Sequence, residues 1–293
     1  MAEEPIIEVT DLTVDYGDYQ AVKGVSFAVN RGELYALLGT NGAGKTTTLE
    51  TVEGHRSATG GQARVFGHNP LDRKTVRPRI GIMLQESGFA PDLTVRETVT
   101  LIGKLSGRRD NVDRVLAVAN LTGKRSTKVA QLSGGEKRRL DFATAIFGSP
   151  DLVFLDEPTT GLDIQARDAL WAAVDELRNG GTTIVLTTHY LEEAQQRADR
   201  IALMHEGLIR LEGTVTELTA ALPATIRFTR PDRPLPASVH GRVDEHGVLL
   251  METQSLQRDL LTLLRWAEEQ DVELSDLSAG PTSLDDVFRT LSR

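Results

Sequence analysis

The sequence contains no cysteine among its 293 residues. Disulfides and thiolate metal sites are therefore excluded, and a reducing compartment is the natural fit. Nor is there an apolar run of the ~18 residues that a membrane helix needs, so any membrane role must be supplied by another chain. Basic charge is in deficit, with 33 Lys and Arg against 42 Asp and Glu and a net charge of −9. That balance argues against nucleic acid as a partner, because phosphate backbones reward clustered Lys and Arg. The one basic cluster, Lys137-Arg138-Arg139, reads as a solvated helix face. The opening MAEEPIIEV is acidic where a secretory leader is basic and apolar, and no internal repeat or low-complexity tract is present. With 40% hydrophobic and 26% charged residues the composition is that of a globular protein, and the length suits a large domain plus a smaller one.

Residues 6 to 38 read as strands of a small antiparallel sheet: IIEVTDLTV alternates, AVKGVSFAV and LYALLG are apolar or β-branched, and YGDY and NRGE punctuate them as turns. LYALLG runs into the glycine-rich GTNGAGKTTT, whose threonines suit the first turns of a helix. ARVFG and RIGIML are further short strands, the second ending at Gln85. From Leu93 to Leu121 apolar residues such as Val95, Val99, Ile102 and Leu105 recur at helical spacing, and helix follows LSGGE, so residues 88–145 form a helical insert. DLVFLDEP and TTIVLTTH are nearly continuous apolar runs with a polar exit, the pattern of central parallel strands whose C-terminal ends hold a site. An amphipathic helix lies between them near 164–178. RIALMHEGLIRLEG reads as a hairpin and TVTELTA as a short closing helix.

After this the character changes. The proline-rich RPDRPLPAS is followed by an expected strand at 247–252, a helix at 255–269, a strand near 272–277 and a last helix opened by SLDD. Leu284, Val287 and Phe288 would share one face of it. The expected division is residues 1–220, an α/β core with a parallel central sheet, and residues 221–293, a small α+β appendix.

GTNGAGKT satisfies G-x-x-x-x-G-K-[ST] with Gly39, Gly44, Lys45 and Thr46. Glycines let backbone N–H groups turn around phosphate oxygens, the helix start adds partial positive charge, Lys45 bridges the outer phosphates, and Thr46 offers a hydroxyl to Mg²⁺. Asp156 and Glu157 end an apolar strand, where the second carboxylate site of a P-loop ATPase belongs. Asp156 would hold Mg²⁺ largely through water, and Glu157 would polarise the attacking water. His189 ends the next apolar strand and can reach the same sheet edge.

Read in order, Tyr16, GTNGAGKT, Gln85, LSGGE, LVFLDE, TTGLD and His189 resemble the ATP-binding cassette (ABC) transporters over residues 6–220. LSGGE, a short helix ahead of the carboxylate strand, is that family's own signature. The resemblance implies that Tyr16 stacks on adenine and that the loop formed by Gly39, Thr40, Asn41, Gly42, Ala43, Gly44, Lys45, Thr46 and Thr47 wraps the phosphates of ATP. It implies that Gln85 reaches Mg²⁺ and the attacking water, that Glu157 is the catalytic carboxylate, that Asp163 links two sites and that His189 contacts the γ-phosphate. It further implies a head-to-tail dimer in which Ser133, Gly134, Gly135 and Glu136 close over ATP held by the other subunit. Three positions depart from the commonest pattern, Thr40, Glu136 and Ile164, and none removes a phosphate donor, a metal ligand or the catalytic carboxylate.

TNGAGKTTT, PDLTVRETV, RRLDFA, PTTGLD and the terminal SLDDVF look most like half-size ATPases of bacterial drug, antibiotic or lipid exporters. The expectation is a peripheral subunit at the cytoplasmic face of the membrane, a homodimer working with an integral membrane permease on a separate chain. The stretch from Gln85 through ESGFAPDLTVRE is expected to face that permease. An importer ATPase shares the core motifs and is the rival reading. A soluble cassette ATPase would usually carry two cassettes, and a P-loop kinase or GTPase leaves LSGGE unexplained.

Overall fold

A strand whose residues are buried one by one can leave a face to water, whereas a strand buried at every residue needs cover on both faces. Both kinds occur here. The computed structural model describes residues 4–84, 88–220, 223–236, 239–244 and 246–281, together with Leu284 and Val287. Contacts divide the chain into two compact units, Met1–Glu212 and Gly213–Arg293.

The first unit runs through β1 (Ile7–Tyr16), β2 (Tyr19–Val29), β3 (Leu34–Gly39), α1 (Lys45–Val52), β4 (Gly60–Val65), α2 (Arg73–Val76) and β5 (Ile80–Met83). It continues with α3 (Val95–Ser106), α4 (Val112–Val118), α5 (Gly134–Ile146), β6 (Leu152–Asp156), α6 (Ile164–Asn179), β7 (Thr183–Thr188), α7 (Leu191–Arg197), β8 (Arg200–His205) and β9 (Leu208–Gly213). β2, β1 and β4 form an antiparallel sheet in that order. β1 and β2 turn at Gly17, whose φ of 61° suits glycine.

The central sheet has the order β5-β6-β7-β3-β8-β9, with β5, β6, β7, β3 and β8 parallel. This corrects the placement of LYALLG. As β3 it lies between β7 and β8 in the parallel sheet, and β4 takes the third antiparallel position beside β1. The reason is burial: every residue of β3 is buried, whereas β1 and β2 expose alternate stretches. In register, Leu38 lies beside Thr188 and Asp156 beside Thr187, so three strands deliver their C-terminal ends to one edge. Phe154, Leu155, Leu37, Val185 and Leu186 fill the middle of the sheet.

The expected helical insert contains α3, α4 and α5, with short 3₁₀ turns between α4 and α5. α3 opens with a capping box between Thr94 and Glu97 and stops at Gly107, which takes φ 71°. α5 departs from expectation. Lys137 is exposed and Arg139 half-buried, but Arg138 is buried, because from there to Ile146 nearly every face of the helix meets protein.

The second unit contains α8 (Val215–Ala220), β10 (Ala224–Thr229), β11 (Arg242–Val243), β12 (Val248–Thr253), α9 (Leu256–Glu269) and β13 (Ser278–Gly280). Its sheet order is β11-β12-β10-β13, and its core is Ile226, Phe228, Val239, Leu249, Met251 and Leu263. β12 and α9 agree with expectation. β10 was not foreseen, although ATIRFT alternates and buries Ile226 and Phe228. The strand expected near 272–277 instead forms at 278–280, since Asp271 and Asp276 take left-handed φ of 51° and 55° and turn the chain between them. Leu284 and Val287 are helical and buried, whereas Ser283, Asp285, Asp286 and Phe288 lie outside the described residues.

Phe154 lies at the centre of β6 and is fully buried, and the same strand ends in the acidic pair. Phe154→Ala should therefore lower the unfolding free energy by about 3–5 kcal/mol, read as an earlier urea midpoint; an unchanged midpoint would contradict the packing of β6.

Candidate nucleotide site

β3 ends at Gly39 and α1 starts at Lys45, so the glycine loop spans a central strand and a helix start. Gly42 and Gly44 take φ of 80° and 99°, and Gly44 caps α1. Residues with a Cβ adopt this backbone only under strain. Lys45 folds back over the loop, its Nζ donating to the carbonyl of Gly39 at 2.7 Å and of Thr40 at 3.1 Å. Burial lowers the pKa of this ammonium, while Glu157 and Asp156 oppose that shift. A half-desolvated cation beside a helix start is a receptor for phosphate.

Asn41, Gly42, Ala43, Gly44, Lys45, Thr46 and Thr47 line a cleft of about 380 Å³, closed on other sides by Tyr16, Tyr19, Ala21 and Glu157. Tyr16 ends β1 and is 44% exposed, so its ring is available to a base. Its hydroxyl lies 3.3 Å from Thr47 Oγ1, and the Arg56 guanidinium sits 4.3 Å from its ring centroid. Glu50 in turn holds Arg56, Nε to Oε2, at 3.0 Å.

The carboxylates come from the neighbouring strand ends. Asp156 accepts a hydrogen bond from the Thr187 hydroxyl. Its pKa is raised, first by burial, against which the Thr187 bond acts, and then by the charge of Glu157. Glu157 adopts φ 47°, a costly backbone for a residue with a Cβ. Its N–H donates to the Thr187 carbonyl at 3.0 Å, and its Oε1 lies 3.2 Å from His189 Nδ1. The Thr160 hydroxyl donates to Oε2 at 3.4 Å, and the His189 ring packs on Tyr190 with centroids 4.1 Å apart. Phosphate donors, an acidic pair and an imidazole thus share one sheet edge.

The hydroxyl of Thr46 and the carboxylate of Asp156 form a hard oxygen set of the sort Mg²⁺ uses when it keeps waters and phosphate oxygens as its other ligands. Thr46 is exposed to the cleft, and Asp156, next to the cleft-lining Glu157, has a buried carboxylate whose desolvation a nearby cation would offset. The residues therefore fit such an ion. Among the described residues no group of three His, Asp or Glu could hold a metal by itself. Gln85 lies outside the described residues. β5 ends two positions earlier at Met83, which pairs with Leu155.

Ser133 and Glu136 belong elsewhere. Ser133 caps α5, accepting from the Glu136 N–H at 3.2 Å while its own N–H donates to Glu136 Oε2 at 2.9 Å. Lys124 Nζ lies 3.0 Å from Glu136 Oε1. The Ser133 amide first, and Lys124 after it, hold the Glu136 carboxyl below its ordinary pKa. Glutamate therefore serves well here as a capping partner, with its charge near the positive helix end. Ser133, Gly134, Gly135 and Glu136 do not line the cleft. Asp163 does not either; exposed, it caps α6 by accepting from the Ala166 N–H at 2.8 Å.

Several contributors were not legible as site residues. Tyr19 and Ala21 reach the cleft only through the β1–β2 turn, Thr187 acts through register, and Arg138 sat in what read as a solvated cluster. Arg138 donates to the carbonyls of Leu84, Pro158, Glu157 and Asp156. The one hint was Asp141, three positions on, a second charge on the same face of the helix.

Residues 22–160 match the family described as ABC transporter, and residues 224–283 match a family of C-terminal domains of ABC transporter domain-containing proteins. The chain is 36% identical to the daunorubicin/doxorubicin resistance ATP-binding protein DrrA of Streptomyces peucetius, over 98% of this chain and 92% of that protein. It is 40% identical to the Nod factor export ATP-binding protein I of Paraburkholderia xenovorans, over 74% of each. Among solved structures, an ATP-binding subunit of an ABC transporter superposes with a TM-score of 0.69 at 29% identity, covering 74% of this chain and 92% of that one. A dimeric bacterial ABC transporter cassette gives 0.66 at 27% identity, covering 71% and 98%.

Burial lifts the Asp141 carboxyl to about 7 even beside Arg138. An unfolded aspartate titrates near ~3.9, so between these values the folded chain keeps a proton that the unfolded chain has released, and stability falls as pH rises through that window. Asp141→Asn stays neutral throughout. Its stability relative to the unmodified protein should rise from about pH 5 to about pH 8; urea midpoints that differ by the same amount at both would contradict the shift.

Proposed function

The chain belongs to the ABC transporter family as an ATP-binding subunit, and on that premise we propose that it powers export of a drug-, antibiotic- or lipid-like molecule through a membrane permease carried on a separate chain. The family hydrolyses ATP to drive transport. Relatives named for drug resistance and for Nod factor export support export over import. No described helix is long and apolar enough to cross a membrane, in keeping with a peripheral subunit that binds a permease at the cytoplasmic face. Residues 1–220, with the insert at 88–145, carry the nucleotide chemistry, and residues 221–293 are accessory. The stretch from Gln85 to Glu97 meets the permease.

One observation carries the mechanism: the cleft holds the glycine loop and Glu157, while Ser133 to Glu136, a second glycine-rich helix start, lie outside it. Each chain then owns half of two sites, and a head-to-tail homodimer completes both. A dimeric cassette among the similar structures supports dimerisation.

Within one site, Tyr16 stacks on adenine, and backbone N–H groups from Gly39 to Thr47 and the Lys45 ammonium hold the phosphates. Thr46 and Asp156 would hold Mg²⁺, which would supply positive charge to offset that of the phosphates. Gln85 reaches toward that ion and the water, and Asp163 connects the paired sites. Glu157 accepts a proton from water as its oxygen attacks the γ-phosphorus, and the bond to the β–γ bridging oxygen breaks to give ADP and phosphate. His189 steadies both the γ-phosphate and the Glu157 carboxylate it already touches. Loss of the γ-phosphate removes contacts to both subunits, so the dimer reopens.

Glu157→Gln should bind MgATP, hydrolyse it at least about a hundredfold more slowly and accumulate as a dimer in ATP. Lys45→Ala should weaken nucleotide binding itself. Dimer mass with and without ATP measures the first effect, and hydrolysis by Glu157→Gln at the normal rate would reject its role. The shared site is tested by mixed dimers in which every subunit carries Glu157→Gln. Lys45→Ala in one subunit and Gly135→Asp in the other should leave one site that occludes ATP, whereas both lesions in one subunit should leave none. The reverse pattern would mean that each chain closes its own site.

A further inference from the structure

α5 buries a cationic side chain within its own chain. Arg138 is 7% exposed, and its guanidinium donates to the carbonyls of Leu84 at 2.6 Å, Pro158 at 3.2 Å, Glu157 at 2.6 Å and Asp156. Those carbonyls belong to two segments: the exit of β5 that leads to Gln85, and the turn after β6 that bears both carboxylates. Asp141, buried on the same face of the helix, supplies an opposite charge. A guanidinium has about five donors in a fixed plane and can serve several carbonyls at once, whereas an ammonium is a point donor on a flexible stem.

The consequence falls on Glu157. Its φ of 47° is a backbone state that persists only when neighbours over-determine it. Thr187 holds its N–H, and Arg138 holds its carbonyl. The peptide units on both sides of its Cα are therefore pinned, which fixes the direction in which the carboxylate leaves the main chain.

We propose that Arg138 is a positioning residue for the hydrolytic site of its own chain: by tying α5 to the carbonyls of Leu84, Asp156, Glu157 and Pro158, it lets the helix whose start closes the partner's site set the aim of Glu157 in its own. The proposal rests on the shared-site reading above. Under it, Ser133 and Gly135 act on the partner's ATP, while Arg138 in the same helix acts on the ATP bound to its own glycine loop. Closure at one site then bears mechanically on the carboxylate of the other.

Mixed dimers with distinct tags, followed through a single turnover of radiolabelled ATP, separate these roles. The control pairs an unmodified subunit with a Glu157→Gln partner, so that only the site on the unmodified subunit's loop hydrolyses. In the first test that subunit carries Arg138→Lys; in the second, Arg138→Lys is moved onto the Glu157→Gln partner. The first dimer should hydrolyse on the order of ten- to a hundredfold more slowly than the control, with its Kd for MgATP unchanged. The second should match the control. Loss in the second alone would mean that Arg138 serves the partner's site. Equal loss in both would mean general support of the fold, and loss in neither would mean no role; each overturns the proposal. Arg138→Gln, run alongside with thermal unfolding of each dimer, guards against a variant that fails to fold. A control dimer that hydrolyses at both sites would show instead that Glu157 is not the catalytic carboxylate, a failure of the underlying reading that is visible with no Arg138 substitution present.

Discussion

Lys45, Asp156, Glu157 and His189 come within reach of one another because β3, β7 and β6 run parallel and stop together. Parallel pairing aligns like ends of strands, so three separate polar exits gather at one edge although long stretches of chain separate them. The pairing of Asp156 with Thr187 is the joint of this arrangement. Through it one threonine fastens the Asp156 carboxylate with its hydroxyl and the Glu157 amide with its carbonyl. A slip of one residue would turn each of these side chains to the opposite face of the sheet.

Such an edge collects charges that are costly to bury. Lys45 and Asp156 are both removed from water, and burial pushes each toward its neutral form. Each is held partly by neutral groups, two carbonyls in one case and a hydroxyl in the other. The site thus keeps unspent electrostatic capacity for a ligand that brings both signs, which describes a phosphate chain with its cation. Folding stability is given up to hold these groups ready, and the wholly buried strands beside them offset that cost.

The two glycine-rich helix starts show how similar local chemistry reaches different ends. α1 follows a central strand, so its N–H groups open into the cleft among the other strand ends. α5 leaves the helical insert instead, and its first residues satisfy one another through the Ser133–Glu136 box. Deeper in α5 the helix is wedged into protein on nearly every side, and the buried Arg138 connects it to the turn bearing the carboxylates. The Arg138 side chain thereby joins the insert to the chemistry.

Much of this was legible in the residues. Short-range patterns carried the P-loop, the apolar strands with acidic or histidine exits, the helix that follows LSGGE and the helix at 255–269, because strand exits, helix starts and tight turns are decided by neighbours in the chain. The role of LYALLG, the unforeseen β10, the shift of the last strand to 278–280 and the burial of Arg138 were settled only in three dimensions. For β3, β10 and Arg138 the deciding contact is remote in sequence: β3 is parallel because β7 and β8 flank it, β10 forms against β12, and Arg138 is buried among carbonyls from the exit of β5 and the turn after β6. Composition marks a residue as apolar or charged, but which surface covers it depends on segments that meet only when the sheet closes.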